Sequence, residues 1–134
     1  MKTTMKLTVI AVVMLMMLMA CTPAGTPLSM VGLWIMTEQG EDGMLYPIPT
    51  DGEYLFDIRD DDTVYTKYTY NGEVHAWDKD STIKRCDCMN MTIVSTKNNH
   101  EVEVTWSWEI SGDKMTWTRD VDGHTLTIKF TKKK

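Results

Sequence analysis

The densest group of reactive side chains in the chain is Cys86-Asp87-Cys88-Met89-Asn90-Met91. Thiolates and thioethers are soft ligands, and with an imidazole from His75 or His100 they would suit Cu(I) or Zn. Strand geometry argues against such a site. Cysteines two apart on a strand share one face about 6–7 Å apart, beyond easy bridging. Alternation then sends Met89 and Met91 to the opposite face. The expectation is therefore no metal and no cofactor: the methionines belong to a core, and the cysteines form a strained or intermolecular bond. Cys86 and Cys88 remain the alternative metal pair. A second group is aromatic: Trp34, Trp77, Trp106, Trp108 and Trp117, with Tyr54, Phe56, Tyr68, Tyr70 and Phe130. Core packing accounts for most of these rings. An apolar pocket is lined the same way, so Trp77, Trp106, Trp108, Trp117 and Tyr68 are the ligand-binding candidates. Asp60-Asp61-Asp62 lacks the ligand count and spacing of a calcium loop and reads as an exposed acidic turn. His75, His100 and His124 stand apart, with no nucleophile in a recognisable elbow. No catalytic residue is named, and no enzyme is expected.

Period 2 positions these side chains. In EVEVTWSWEI at 101–110, Val102, Val104, Trp106, Trp108 and Ile110 fall on one face and polar residues on the other, the pattern of a half-buried strand. Tyr54-Phe56-Ile58, Leu126-Ile128-Phe130 and Met115-Trp117 alternate likewise. TVYTKYTY at 63–70 has the composition of a pleated surface. Turn signals punctuate the runs: Asn71-Gly72, Asn98-Asn99, Ser111-Gly112-Asp113 and Asp122-Gly123. Strands are expected near 30–37, 54–60, 63–70, 73–79, 82–86, 89–96, 101–110, 114–120 and 124–131. Successive hairpins need no crossover helix, and so many strands in a small domain hide their edges by closing. The fold class is thus all-β, an antiparallel up-and-down barrel of about eight strands. The stretch 37–52, with Gly40, Gly43, Pro47 and Pro49 around Met44-Leu45-Tyr46, is expected to be a long loop, either a lid or a contact surface.

The N-terminus has a different composition. Lys2 and Lys6 precede the apolar run LTVIAVVMLMML at 7–18. That run is shorter than the roughly 20 residues a membrane span needs and matches a secretory signal. Leu18-Met19-Ala20-Cys21 resembles the bacterial lipobox. The resemblance implies cleavage before Cys21, lipidation of its thiol and a stable membrane anchor. Residues 1–20 would be the signal, 21–29 a lipidated tether, and 30–134 one domain. Without Lys2 and Lys6, 12 basic residues face 19 acidic ones, a net charge of −7, so no nucleic-acid partner is expected. Thr rather than Asp at position 22 resembles, by known sorting rules, an outer-membrane lipoprotein of the cell envelope, in the periplasmic leaflet rather than on the surface.

Gly32-Leu33-Trp34 opens the first strand and is similar to the Gly-x-Trp signature of lipocalins, in which the tryptophan closes the barrel's narrow end. EISGDKMTWT at 109–118 and GHTLTIKFTK at 123–132 resemble the last hairpins of small lipocalin-like domains found in bacterial lipoproteins. The resemblance covers roughly 30–132 and implies a lipocalin-like barrel closed by Gly32 and Trp34. The chain is shorter than a full lipocalin and carries no legible C-terminal helix. Two functions are expected from this reading. One is binding of a small apolar or amphipathic ligand in the barrel. The alternative is a protein-interaction or inhibitor module of the envelope, with a filled barrel and the 37–52 stretch as its contact surface.

Overall fold

Among the described residues, alternating apolar and polar side chains, interrupted by residues that tolerate positive φ, form nine strands. The computed structural model describes residues 25–49 and 51–134, the side chains of 76–80 excepted. The strands are β1 (Gly32–Glu41), β2 (Met44–Pro47), β3 (Gly52–Ile58), β4 (Thr63–Tyr70), β5 (Glu73–Cys86), β6 (Asn90–Lys97), β7 (His100–Ser111), β8 (Lys114–Val121) and β9 (His124–Lys132). All neighbours pair antiparallel in the order β2-β1-β3-β4-β5-β6-β7-β8-β9, and β1 also pairs with β9. That pairing closes β1 and β3–β9 into an eight-stranded up-and-down barrel, with β2 added outside the ring. Among the described residues there is no helix.

Three expectations need correction. The stretch 37–52 is not a long loop. β1 runs on to Glu41, and Asp42-Gly43 (φ 50° and 82°) turns it into β2, with the positive φ pair that a two-residue hairpin requires. Gly40 is obligatory there, because a Cβ would meet the Met44 carbonyl oxygen at 1.8 Å. The two strands expected at 73–79 and 82–86 are one strand of 14 residues, bent by register shifts opposite β4 and β6. The stretch 25–29 is not a free tether: the Asp62 carboxylate accepts hydrogen bonds from the Thr26 N–H and hydroxyl, both at 2.8 Å.

The barrel has a closed end and an open end. At the closed end Trp34 is fully buried, its indole N–H donating to the Met30 carbonyl at 2.8 Å. The Lys132 ammonium lies 5.3 Å from the Trp34 ring centre, in cation–π range. Gly32 (φ 143°) leaves room for that lysine, whose Cε a Cβ would approach to 2.7 Å. Met30, Met36, Ile58, Val64, Ile83, Cys86, Met91, Met115, Trp117 and Phe130 complete the core. The turns Asp42-Gly43, Asn71-Gly72, Asn98-Asn99 and Asp122-Gly123 mark the open end, and each has positive φ at both positions.

Candidate functional site

Among the described residues, the fully buried large side chains gather in the closed half of the barrel. Above Trp34, Phe130 and Met115, the walls enclose a cavity of about 290 Å³ lined by Phe56, Val64, Ile93, Val104, Trp106, Trp117 and Ile128, with Thr66, Ser81, Ser95 and Arg119. Register explains why these residues meet. Trp117 opposes Ile128 across β8–β9, Ile93 opposes Val104 across β6–β7, and Phe56 opposes Thr66 across β3–β4. Cross-strand partners share a face. The rings interlock: Trp117 lies 5.9 Å from Trp106 and 5.6 Å from Phe56, the latter edge-on. A second cleft of about 320 Å³, lined by Gln39, Glu41, Tyr46 and Leu126, shares Trp106 and Ile128 as a wall. It lies where β2 stands beside the mouth.

Polar groups in the cavity divide sharply. The Ser81 and Ser95 hydroxyls satisfy each other at 2.8 Å. The Trp117 indole N–H is buried and has no hydrogen-bond partner among the described residues. Such an orphan donor costs about 1–3 kcal/mol. The Arg119 guanidinium lies 5.9 Å from the Trp106 ring centre.

Of the candidates read from the sequence, Trp106 and Trp117 line this cavity. Trp108 shares their strand face but packs at the closed end, its indole N–H donating to the Asp87 carbonyl at 2.9 Å. Tyr68 stacks on Tyr54 at the rim, ring centres 4.4 Å apart, and does not line the cavity. The Trp77 side chain and Cys21 lie outside the described residues. Phe56 stood in the aromatic set but not among the ligand-binding candidates, and Ser81, Ser95 and Arg119 were not singled out by the sequence reading.

The cysteine run is a turn, not a continuous strand. The Asp87 carboxylate caps it by accepting the N–H groups of Met89 and Asn90, at 2.9 and 2.7 Å. Those bonds hold its carboxyl below the usual range. The turn brings Met91 opposite Cys86, so both are buried on one face, while Met89 is exposed. Cys86 keeps a free thiol, which burial pushes up to about 11. No Cys86–Cys88 bridge exists, and Cys88 is engaged separately. His75 is near Tyr70, its Nε2 3.2 Å from that carbonyl, and His100 pairs with Lys97 at the far end of the barrel. Among the described residues, no group of three His, Cys, Asp or Glu side chains is placed to hold a metal.

A wider furrow of about 520 Å³ runs along the closed end past Thr26, Leu28, Asp62, Cys86 and Trp108. Its main polar groups are already engaged, Asp62 by Thr26 and Trp108 by Asp87. The interior cavity, lined by an Arg119 guanidinium that has no acceptor among the described residues, is the better candidate. Comparison with protein-family models, curated proteins and solved structures returns no match.

Proposed function

We propose that this chain is an exported, lipid-anchored lipoprotein of the cell envelope whose lipocalin-like barrel binds a small, mostly apolar molecule. The observation that carries the reading is the half-empty barrel. Three aromatic rings line a cavity near 290 Å³, and beside it a buried indole N–H has no acceptor among the described residues. A barrel of eight strands can be filled by its own side chains; here the large side chains gather at the closed end. Small-ligand sites are apolar concavities of roughly this size or larger with a few polar groups that fix orientation. Anchoring rests on the lipobox-like run ending at Cys21, and the outer membrane on Thr22. Binding rather than catalysis is proposed because, among the described residues, the cavity's hydroxyls are those of Thr66, Ser81 and Ser95, with no histidine or carboxylate lining it as a base.

The uncharged dye N-phenyl-1-naphthylamine tests this directly. It should bind one molecule per chain and draw energy from Trp106 and Trp117, with the binding weakened in Trp106→Ala. Absence of dye binding would shift the weight to the second reading, a contact surface for an envelope protein. That reading is supported by β2, where Met44 and Tyr46 remain 65% and 59% exposed, since clustered exposed apolar groups mark interaction sites.

A further inference from the structure

Building on the ligand-binding reading, we infer that the ligand is an acid whose carboxylate, or an equivalent anion, is held by Arg119 at the neck of the cavity. The unpaired charge at the cavity is a cation: Arg119 lines it with a guanidinium that has no acceptor among the described residues. The Trp117 indole N–H also lacks a partner there but is sealed from the cavity. The two stand at i and i+2 on β8, so they share the inward face about 6–7 Å apart, with Arg119 one step nearer the mouth. The Ser81–Ser95 pair is already satisfied. A ligand that complements this wall brings acceptors and negative charge.

The surroundings make the cation unusual. The chain has 19 acidic residues against 14 basic ones, and Arg59 is held in the ordinary way by Asp57 at 3.0 Å. Arg119 instead lines an apolar cavity and faces Trp106. Glu41, an acidic residue of the outer cleft, lies two strands away in register through Leu126, about 10 Å between backbones. Guanidinium is weakly hydrated and forks onto carboxylate with two parallel hydrogen bonds. Placed between an aromatic wall and the opening, it fixes the anion at the neck and leaves the apolar body to the rings below. Neutral lipids and hydrocarbons lack that group and are disfavoured.

The test compares two isosteric probes, 2-naphthoate and 2-naphthamide, titrated calorimetrically into the purified processed chain. The carboxylate should bind at least about tenfold tighter than the amide, the scale of one charge-assisted contact. Arg119→Met should remove that preference by weakening 2-naphthoate alone, and Arg119→Lys should keep part of it. Equal affinity of the two probes for the unsubstituted chain would overturn the anion assignment while leaving the cavity reading intact, as would an equal loss for both in Arg119→Met. Binding of neither probe would remove the cavity reading itself. The preference measured on the unsubstituted chain decides the matter even if a variant fails to fold.

Discussion

At the scale of single residues, the barrel separates side chains that close it from those that leave it open. Trp34 closes it. Its burial and its bond to the Met30 carbonyl predict that Trp34→Ala costs about 3–5 kcal/mol, read as a large fall in melting temperature. An unchanged melting curve would contradict the closing role. Cys86 is packed against the same core, and its thiol, raised to about 11 by burial, is protonated at neutral pH. Because the thiolate is the reactive form, Cys86 should resist iodoacetamide at pH 7.5 until the protein is unfolded, as peptide mapping would read. Trp106 and Trp117 were legible as inward residues from alternation alone. Trp108 has the same parity and stands opposite Trp117 in register, but its indole N–H is drawn to the Asp87 carbonyl in the closed-end turn. Period 2 gives the face of a residue and not the partner its side chain finds. Arg119 was legible in principle: Met115, Trp117, Arg119 and Val121 share a parity, and a cation in an inward series is the anomaly to look for.

At the scale of elements, the β1–β2 hairpin holds the outer cleft, and one latch secures it. The Asp42 carboxylate bonds the His124 ring at 2.7 Å and the Thr125 N–H at 2.9 Å. The Asp42 N–H returns a bond to the Thr125 carbonyl. The His124 bond, foremost, holds the Asp42 carboxyl below 3.8, and the Asp42 bond, foremost, raises the His124 imidazole above 6.5. The signs define a window. Asp42's contribution is present above its unfolded value and is lost as pH falls through its lowered folded one. His124's contribution is full below its unfolded value and is lost as pH rises through its raised folded one. The latch should therefore be tightest between about pH 4 and 6.5. Amide exchange in β2, corrected for its intrinsic rate, should quicken from pH 5.5 to pH 8.5, and Asp42→Asn should flatten that difference. Equal protection at both pH values would rule the latch out. The Asp42-Gly43 signal lay in plain sight but was masked by the glycines and prolines around it, which read as loop. The four-residue β2 is too short to alternate visibly. By contrast, Asn71-Gly72, Asn98-Asn99 and Asp122-Gly123 stood between long alternating runs, so those hairpins were readable.

At the scale of the whole molecule, the all-β meander and its closure followed from uninterrupted hairpins, because nothing in the chain could form a crossover. What the sequence could not convey was how completely the barrel fills. Packing is a sum over all strands, and the count of tryptophans suggested fuller occupancy than the described side chains provide. The docking of Thr26 on Asp62 also reorients the anchoring proposal. A lipid on Cys21 would hold the closed end within about 18 Å of the bilayer, five residue steps at full extension, and turn the mouth away from it. Cys21→Ala should release soluble or unprocessed protein on cell fractionation; a variant still cleaved and still in the membrane fraction would refute the anchor. The central claim is that the open half of the barrel is a ligand site. Native mass spectrometry of the processed chain, purified gently from the envelope, tests it most directly. The account predicts a non-covalent adduct of a few hundred daltons that is diminished in Trp106→Ala. A bare protein mass that stays bare after incubation with envelope extract would contradict it.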